Sequence, residues 1–428
     1  MPKIVIIGAG SGFGGRLSLD ILSRAPLRES TICLCDIDPV KLRLTTRFVR
    51  RLIEKHRLPA KVVANVDRTK LLPGADFVVT SVSVGGPAYY CRPYADEIHI
   101  PQKYGIDQAV GDTLGPGGIF RFLRTGPVQL AFCKDIERLC PNALLLNYTN
   151  PMAMLTWLHS AGSSVRNVGL CHSVQGSTWE LAHYIGVPYE EVTYWVAGIN
   201  HQSWVLEFKH KGKDAYPLIR KAMENPEIYK KDVIRFEILK HFGFFVTESS
   251  PHNSEYLPYF RKNPELMAHF GLGSRKVSLE PPQPRKWLGK NEPVPDLVAS
   301  HEYASGIMEA VVTNIPFRFN GNVINHGLIT NLPEGCCVEV PCMVDRHGVN
   351  PCHVGNLPPQ CAAINRSNIA VQELAVQAVL NRDREAAFHA LALDPLTSAV
   401  LPLHKIREMF EEMWAAERHL LKYFERKR

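Results

Sequence analysis

The sequence predicts an α/β protein: an N-terminal Rossmann-like, doubly wound parallel sheet, followed by a C-terminal mixed α+β domain. Three observations predict it. Short β-branched runs alternate with longer helix-patterned segments through the first half. The runs are apolar throughout, as strands buried on both faces are. A glycine-rich turn, Gly8-Ala9-Gly10-Ser11-Gly12, directly follows the first run. At 428 residues the chain suffices for two or three domains of ~150 residues, or for one large α/β unit.

The elements follow in order. Residues 4–7 form the first strand, and 16–23 the helix after the glycines. Residues 31–35 are a second strand ending at Asp36, and 40–55 have helical spacing. Strands at 61–64 and 77–82, a helix at 127–138, and strands at 144–147 and 168–171 complete the parallel unit. In the second half, strands at 193–199 and 204–208 flank Asn200-His201. Residues 230–242, 305–312, 364–381 and 406–423 read as helices. The stretch 272–298 is rich in Pro, Gly and charge and reads as a surface loop or mobile segment. The expected division is 1–195 for cofactor binding and 196–428 for substrate, metal and oligomerisation.

Composition excludes several classes. Hydrophobic residues at 45% and charged residues at 21% rule out a disordered, collagen-like or coiled-coil chain. The net charge is +7, but basic residues form only isolated pairs such as Arg50-Arg51 and Lys230-Lys231. A nucleic-acid or membrane face would concentrate them. No apolar run approaches the ~18 residues of a membrane span, and the start is too short in its apolar part for a secretory signal. A soluble, cytoplasmic protein is expected. Without a signal, the odd count of 11 cysteines argues against a disulfide framework. Cys33 and Cys35 read as buried thiols. Cys336, Cys337, Cys342, Cys352 and Cys361 lack paired C-x-x-C spacing and read as core or pocket-wall residues.

Four segments carry candidate chemistry. Gly8, Gly10, Ser11 and Gly12, between a strand and a helix, would let backbone N–H groups approach a pyrophosphate. Asp36 and Asp38 close the second strand, where an acid binds an adenosine ribose and repels the extra phosphate of NADP, so NAD is expected. Ser83, past the fourth strand, joins this cofactor set. The glycines of Asp112-Thr113-Leu114-Gly115-Pro116-Gly117-Gly118 mark a loop where backbone approaches something closely. Asp112 is either a working acid or a buried cap. Asn150, before Pro151, sits at a strand's carboxyl end, either as a ligand contact or in a plain turn. Cys171 and His201 each end an apolar strand. They are either core residues or the two protein ligands of an open divalent-metal site.

Together these segments resemble glycoside hydrolase family four, the NAD- and metal-dependent glycosidases. The resemblance runs through Gly8-x-Gly10-Ser11, Asp36-Ile37-Asp38, Asp112-Thr113-x-Gly115-Pro116-Gly117-Gly118 and Asn150-Pro151-Met152. It continues in Cys171-His172-Ser173-Val174, Gly198-Ile199-Asn200-His201, Val246-Thr247-Glu248-Ser249-Ser250 and Asn331-Leu332-Pro333-x-Gly335-Cys336-Cys337-Val338-Glu339-Val340. It therefore spans nearly the whole chain. Cys-His-Ser-Val looks like the α-galactosidase (melibiase) branch. His326 departs from that branch, which usually has an acid there. His326 and Arg92 would suit an anionic sugar.

The resemblance implies NAD and a divalent metal, Mn²⁺ first, as cofactors, and a homo-oligomer, dimer or tetramer. It also implies an exception to two-carboxylate glycoside hydrolysis. The sugar's 3-hydroxyl is transiently oxidised and carbon 2 loses a proton. The glycosidic oxygen leaves by elimination, water adds, and the ketone is reduced again. Cys171 and His201 match metal ligands, with reductant dependence expected of the thiolate. Asn150, with Arg92 and His326, would contact substrate. His172 stands where an acid is placed in phosphoglycosidase relatives, and Asp112 joins the catalytic set. Tyr256 is the first candidate for the carbon-2 base, with His252 and Glu255 behind it. Two other readings remain at this point: an α-galacturonidase or α-glucuronidase of the same mechanism, and an NAD-dependent 2-hydroxyacid dehydrogenase. A redox-sensing NAD-binding regulator is a third.

Overall fold

The structure is a computed structural model describing residues 1–85, 92–280, 289 and 292–425. Its first half contributes six strands: β1 (Lys3–Ile7), β2 (Thr31–Cys35), β3 (Lys61–Asn65), β4 (Phe77–Thr80), β5 (Leu144–Asn147) and β6 (Asn167–Gly169). All neighbouring pairs among them are parallel, in the order β3-β2-β1-β4-β5-β6. This is the strand order of the dinucleotide-binding fold.

The apolar runs are explained by burial on both faces. Ile4, Ile6, Ile32, Leu34, Val79 and Leu146 enter one core. Their neighbours Val5, Ile7, Cys33, Cys35, Val78 and Leu145 enter the core on the opposite face. Successive side chains of a strand point to opposite faces, so both registers must be apolar here.

The second half extends the same sheet. It supplies β7 (Val192–Ile199), β8 (Gln202–His210), β9 (Lys213–Asp214), β10 (Phe245–Val246), β11 (Phe317–Ile324), β12 (Cys337–Asp345) and β13 (Gly348–Pro351). The order continues β6-β11-β12-β7-β8-β10, with antiparallel pairing throughout. A narrow seam, Asn322 opposite Gly169, joins the two halves, and another, Glu339 opposite Gly198, joins β12 to β7 within the second half. Residue 195, after which the sequence suggested a division, lies inside β7, and one sheet runs across it.

Several element boundaries differ from expectation. The helix expected from residue 127 spans Gly115–Leu139 and carries Pro127 inside it. The glycines that suggested a loop instead pack the helix's first turn against the segment before it. A Cβ at Gly117 would lie 2.6 Å from the Gly111 carbonyl oxygen, and one at Gly118 2.6 Å from the Thr113 carbonyl carbon. The last long helix ends at Glu417 rather than 423, and a short 3-10 turn, Lys422–Phe424, follows buried Leu421. Cys33, Cys35, Cys336, Cys337, Cys342 and Cys361 are buried and free, and Cys352 is half-buried. Among the described residues, no helix is long and apolar enough to cross a membrane.

His159 lies in the Met152–Gly162 helix that connects β5 to β6. It is fully buried, with Nε2 3.2 Å from Gln129 Oε1. Burial holds its imidazole neutral, down to about 3 from an ordinary 6.5. The unfolded chain therefore binds a proton that the folded chain refuses. Stability from this site is complete above pH 6.5 and falls by about 1.4 kcal/mol per pH unit as the pH drops towards 3. His159→Gln should remove this component. The fall in melting temperature between about pH 7 and about pH 5 should be smaller in the variant. Equal falls would show that His159 does not titrate this way.

Candidate functional site

The carboxyl ends of the parallel strands lie on one side of the sheet, where open α/β sheets bind ligands. After β1, the amides of Gly8 and Ala9 both donate to the Cys35 carbonyl at 2.9 Å. Gly8 has φ +87°, and a Cβ there would sit 2.1 Å from the Ser81 carbonyl oxygen. Only glycine permits the turn to pass this close to the end of β4. Ser11 caps the Gly12–Ser23 helix, its Oγ accepting from Phe13 N at 3.3 Å, and lies 3.1 Å from Ser81 Oγ.

The two acids after β2 differ in what they do. Asp38 caps the Pro39–Lys55 helix by accepting from the Val40 and Lys41 amides. Asp36 points back over the glycine turn, with Oδ2 accepting from Gly10 N at 2.7 Å. The glycine turn, a helix N-terminus and a carboxylate beside them fit the phosphates and ribose of a dinucleotide. Ser83 is exposed past β4.

A second cluster forms where the two halves meet. The turn Asn200-His201 joins β7 to β8, and His201 adopts φ +61° there. A non-glycine residue in this conformation costs ~1–3 kcal/mol and persists only where surroundings enforce it. The turn aims the imidazole at Cys171, whose Sγ lies 3.2 Å from His201 Nε2. Glu248, also at positive φ (+73°), brings Oε2 to 3.5 Å from the same nitrogen.

The other face of the ring is equally determined. Thr113 Oγ1 lies 3.0 Å from His201 Nδ1 and donates to Asp112 Oδ1 at 2.8 Å. Thr113's only proton is thereby used, so it accepts from Nδ1–H. The Nε2 lone pair then faces Cys171 and Glu248. Such a hydrogen bond to the far nitrogen is how metal-ligating histidines are oriented. Tyr256 OH sits 3.2 Å from Nδ1. Asp112 Oδ2 accepts from Asn150 Nδ2 at 2.9 Å, which removes the cap reading of Asp112. The helix that follows has Leu114 at its cap position.

Charge in this cluster is unbalanced towards negative. His252 lies 3.2 Å from Asp112, 3.4 Å from Glu248 and 3.3 Å from Glu255. Burial opposes its charge, but Asp112 and Glu248 outweigh burial and hold His252 well above its ordinary value. Burial likewise opposes ionisation of Asp112 and Glu248. At Asp112 the neighbouring His252 outweighs it, and at Glu248 the adjacent imidazoles, His201 first and then His252, outweigh it, so both carboxyls are held low. Glu255 accepts from the amides of Ala109, Val110 and Gly111 and anchors that segment. Burial pushes the Cys171 thiol up to about 11. Among the described residues, both polar side-chain atoms of buried Asn200 lack a partner. A thiol, an imidazole lone pair and surplus carboxylate charge fit a divalent cation.

The structure thus brings together Asp112, Asn150, Cys171, His201 and Tyr256, which the sequence singled out. His172 stands at the edge, 66% exposed, 3.5 Å from Glu302, which pushes its imidazole up to about 9. Arg92 and His326 are not brought in. Arg92 is exposed and pairs with Asp96 at 3.0 Å, and His326 is exposed and pairs with Glu334 at 2.8 Å. Both expected anion contacts therefore face surface carboxylates. Sequence reasoning assigned no role to Thr113, Glu248 or Glu302. Thr113 and Glu248 lay within quoted motifs, but a positive φ and a shared imidazole leave no local sequence signal.

Fold and site define a class: a Rossmann-like scaffold carrying a buried thiol–imidazole–carboxylate cluster at the carboxyl end of its sheet. The chain belongs to glycosyl hydrolase family 4. Residues 3–187 match the family 4 glycosyl hydrolase model, and residues 196–397 match its C-terminal domain. An α-galactosidase of Bacillus subtilis (strain 168) is 40% identical over 97% of this chain and 98% of its own length. An α-galactosidase of Rhizobium meliloti (strain 1021) is 38% identical over 97% of this chain and 88% of its own. An α-galacturonidase of Thermoanaerobacter italicus is 28% identical over 98% and 97%. Among solved structures, a 6-phospho-α-glucosidase from gut microorganisms, in complex with NAD and Mn²⁺, superposes with a TM-score of 0.78 at 20% identity, covering 98% of each chain. The 6-phospho-β-glucosidase of Thermotoga maritima, with manganese, NAD⁺ and glucose-6-phosphate, gives 0.77 at 21%, covering 97% and 98%.

The two acids after β2 are separable by experiment. Asp36→Ala should weaken NAD⁺ binding at least ~10-fold, the scale of a lost charge-assisted hydrogen bond. Asp38→Ala should leave NAD⁺ affinity near wild type but lower stability by ~1 kcal/mol through loss of the cap. Fluorescence titration and thermal melts measure the two. The reverse pattern would reassign the ribose contact.

Proposed function

We propose that this glycosidase hydrolyses α-galactosides, using NAD⁺ and a divalent cation, Mn²⁺ first, by transient oxidation and elimination. The observation that carries this reading is the meeting of Cys171 Sγ and the His201 Nε2 lone pair, beside Asn150 and Asp112. When bound, NAD⁺ supplies a reversible hydride acceptor for the 3-hydroxyl, and the cation supplies a Lewis acid next to carbon 2.

The chain's own residues do the rest. Cys171 and His201 would hold the cation. The Asn150–Asp112 pair presents an amide and a carboxylate to sugar hydroxyls and orients the ring. Tyr256 takes the carbon-2 proton at its phenolic oxygen. Burial, then Glu255, Asp112 and Glu248, push that phenol well above its ordinary value. A cation held beside His201 would oppose that shift. His172, kept cationic by Glu302, donates to the departing glycosidic oxygen. Water replaces the leaving group, and the net reaction is hydrolysis without net oxidation.

The neutral galactoside is favoured over a uronide by the placement of Arg92 and His326. The two side chains that argued for an anionic sugar, Arg92 and His326, are exposed and lie against Asp96 and Glu334 instead. The similarity to α-galactosidases at 38–40% identity supports the same choice.

Release of nitrophenol from the α-galactoside and the α-galacturonide, side by side, tests the proposal. Each assay is repeated with NAD⁺, Mn²⁺ or reductant omitted, while NADH absorbance is followed. Galactoside turnover that needs all three, without NADH accumulation, is expected. Turnover of only the uronide would replace the substrate and keep the mechanism. Steady NADH build-up, or indifference to metal, would overturn the hydrolytic cycle.

A further inference from the structure

We propose that Glu248 is a third protein ligand of the metal site, so that the cation is held by Cys171, His201 and Glu248 before any sugar enters. This rests on the metal-dependent reading above and adds a residue to it.

The geometry around one nitrogen carries the inference. Cys171 Sγ and Glu248 Oε2 approach His201 Nε2 at 3.2 and 3.5 Å, and the three donor atoms lie within 4.8 Å of one another. Ligands bound to one cation at ~2.0–2.3 Å stand roughly 3–4 Å apart, so these separations are edges of a coordination shell. A second group of donors, Asp112, His201 and His252, is similarly close. It is disfavoured by the proton on Nδ1, which Thr113 accepts after giving its own proton to Asp112. Asp112 and His252 are, moreover, paired with each other at 3.2 Å.

Glu248 is also held where a ligand would need to be. Its backbone is in the left-handed region at φ +73°, which a glutamate adopts only under constraint. The constraint is visible. Glu248 N donates to Ser177 Oγ at 3.2 Å, and Ser177 Oγ receives Arg235 Nη1 at 3.0 Å. Arg235 is itself buried between Asp232 and Glu180. This buried clamp ties the Ser173–Tyr184 helix, which starts beside Cys171, to the strained residue. Thiolate and carboxylate together would neutralise a divalent cation, leaving further coordination positions to sugar oxygens or water.

The test uses NAD⁺-loaded enzyme without sugar, titrated with Mn²⁺ alone, with free Mn²⁺ read from its electron paramagnetic resonance signal. Wild type should bind one Mn²⁺ per chain. Glu248→Gln should weaken that binding at least ~10-fold, and Glu248→Asp and Asp112→Asn should each weaken it less than Glu248→Gln does. NAD⁺ affinity should be unchanged in all. Unchanged Mn²⁺ affinity in Glu248→Gln would overturn the proposal, as would loss in Asp112→Asn with retention in Glu248→Gln. If Glu248→Gln does not fold, Glu248→Asp decides: weakened binding supports the ligand role, and wild-type binding overturns it. Wild type that binds no Mn²⁺ would instead overturn the metal-dependent reading itself.

Discussion

The site depends on one imidazole held in a strained turn. His201 closes the β7–β8 hairpin at φ +61° and is hydrogen-bonded or in contact on both sides of its ring. Nδ1–H goes to Thr113, and through Thr113 to Asp112 and Asn150, all three from the first half of the chain. Nε2 faces Cys171, which follows β6, and Glu248, which follows β10. Two hydrogen bonds thus select the tautomer and leave a lone pair where a Lewis acid is wanted. The ~1–3 kcal/mol of backbone strain is offset by the sheet that continues from β6 into the second half.

That continuity links fold to chemistry. The parallel half has the strand order of dinucleotide-binding domains, and its glycine turn stands beside the end of β4. Taken alone, it would suit a dehydrogenase. The antiparallel strands carry His201 to the same edge, where it meets Cys171. The proposed cycle calls on both, a hydride acceptor on the parallel half and a cation at the cluster. Function is therefore decided by the grafted cluster rather than by the fold.

Much of this was legible in the residues. Apolar runs of four or five residues marked β1, β2, β4 and β5, because burial on both faces leaves no other pattern, whereas the edge strand β3 is not buried on either face. Cys171 and His201 were visible because each closes an apolar strand. The helix from Gly115 was not, because glycine and proline read as a loop until the close approach of Gly111 and Thr113 explains them. Glu248 carried no signal of its own. Its position comes from a backbone torsion and from Ser177 and Arg235, which are distant in sequence. The partners of Arg92 and His326 were not legible, because a side chain's sequence position does not reveal what it meets; each pairs with an acid four to eight residues away.

In the proposed cycle, glycosidic cleavage proceeds through loss of the proton on carbon 2 in the cluster around His201. Hydrolysis of an α-galactoside in deuterium oxide, with the released galactose analysed by proton NMR, tests it most directly. Deuterium at carbon 2 of the product is expected, with Tyr256→Phe losing cleavage and exchange together. Galactose released at full rate with its original hydrogen on carbon 2 would contradict it.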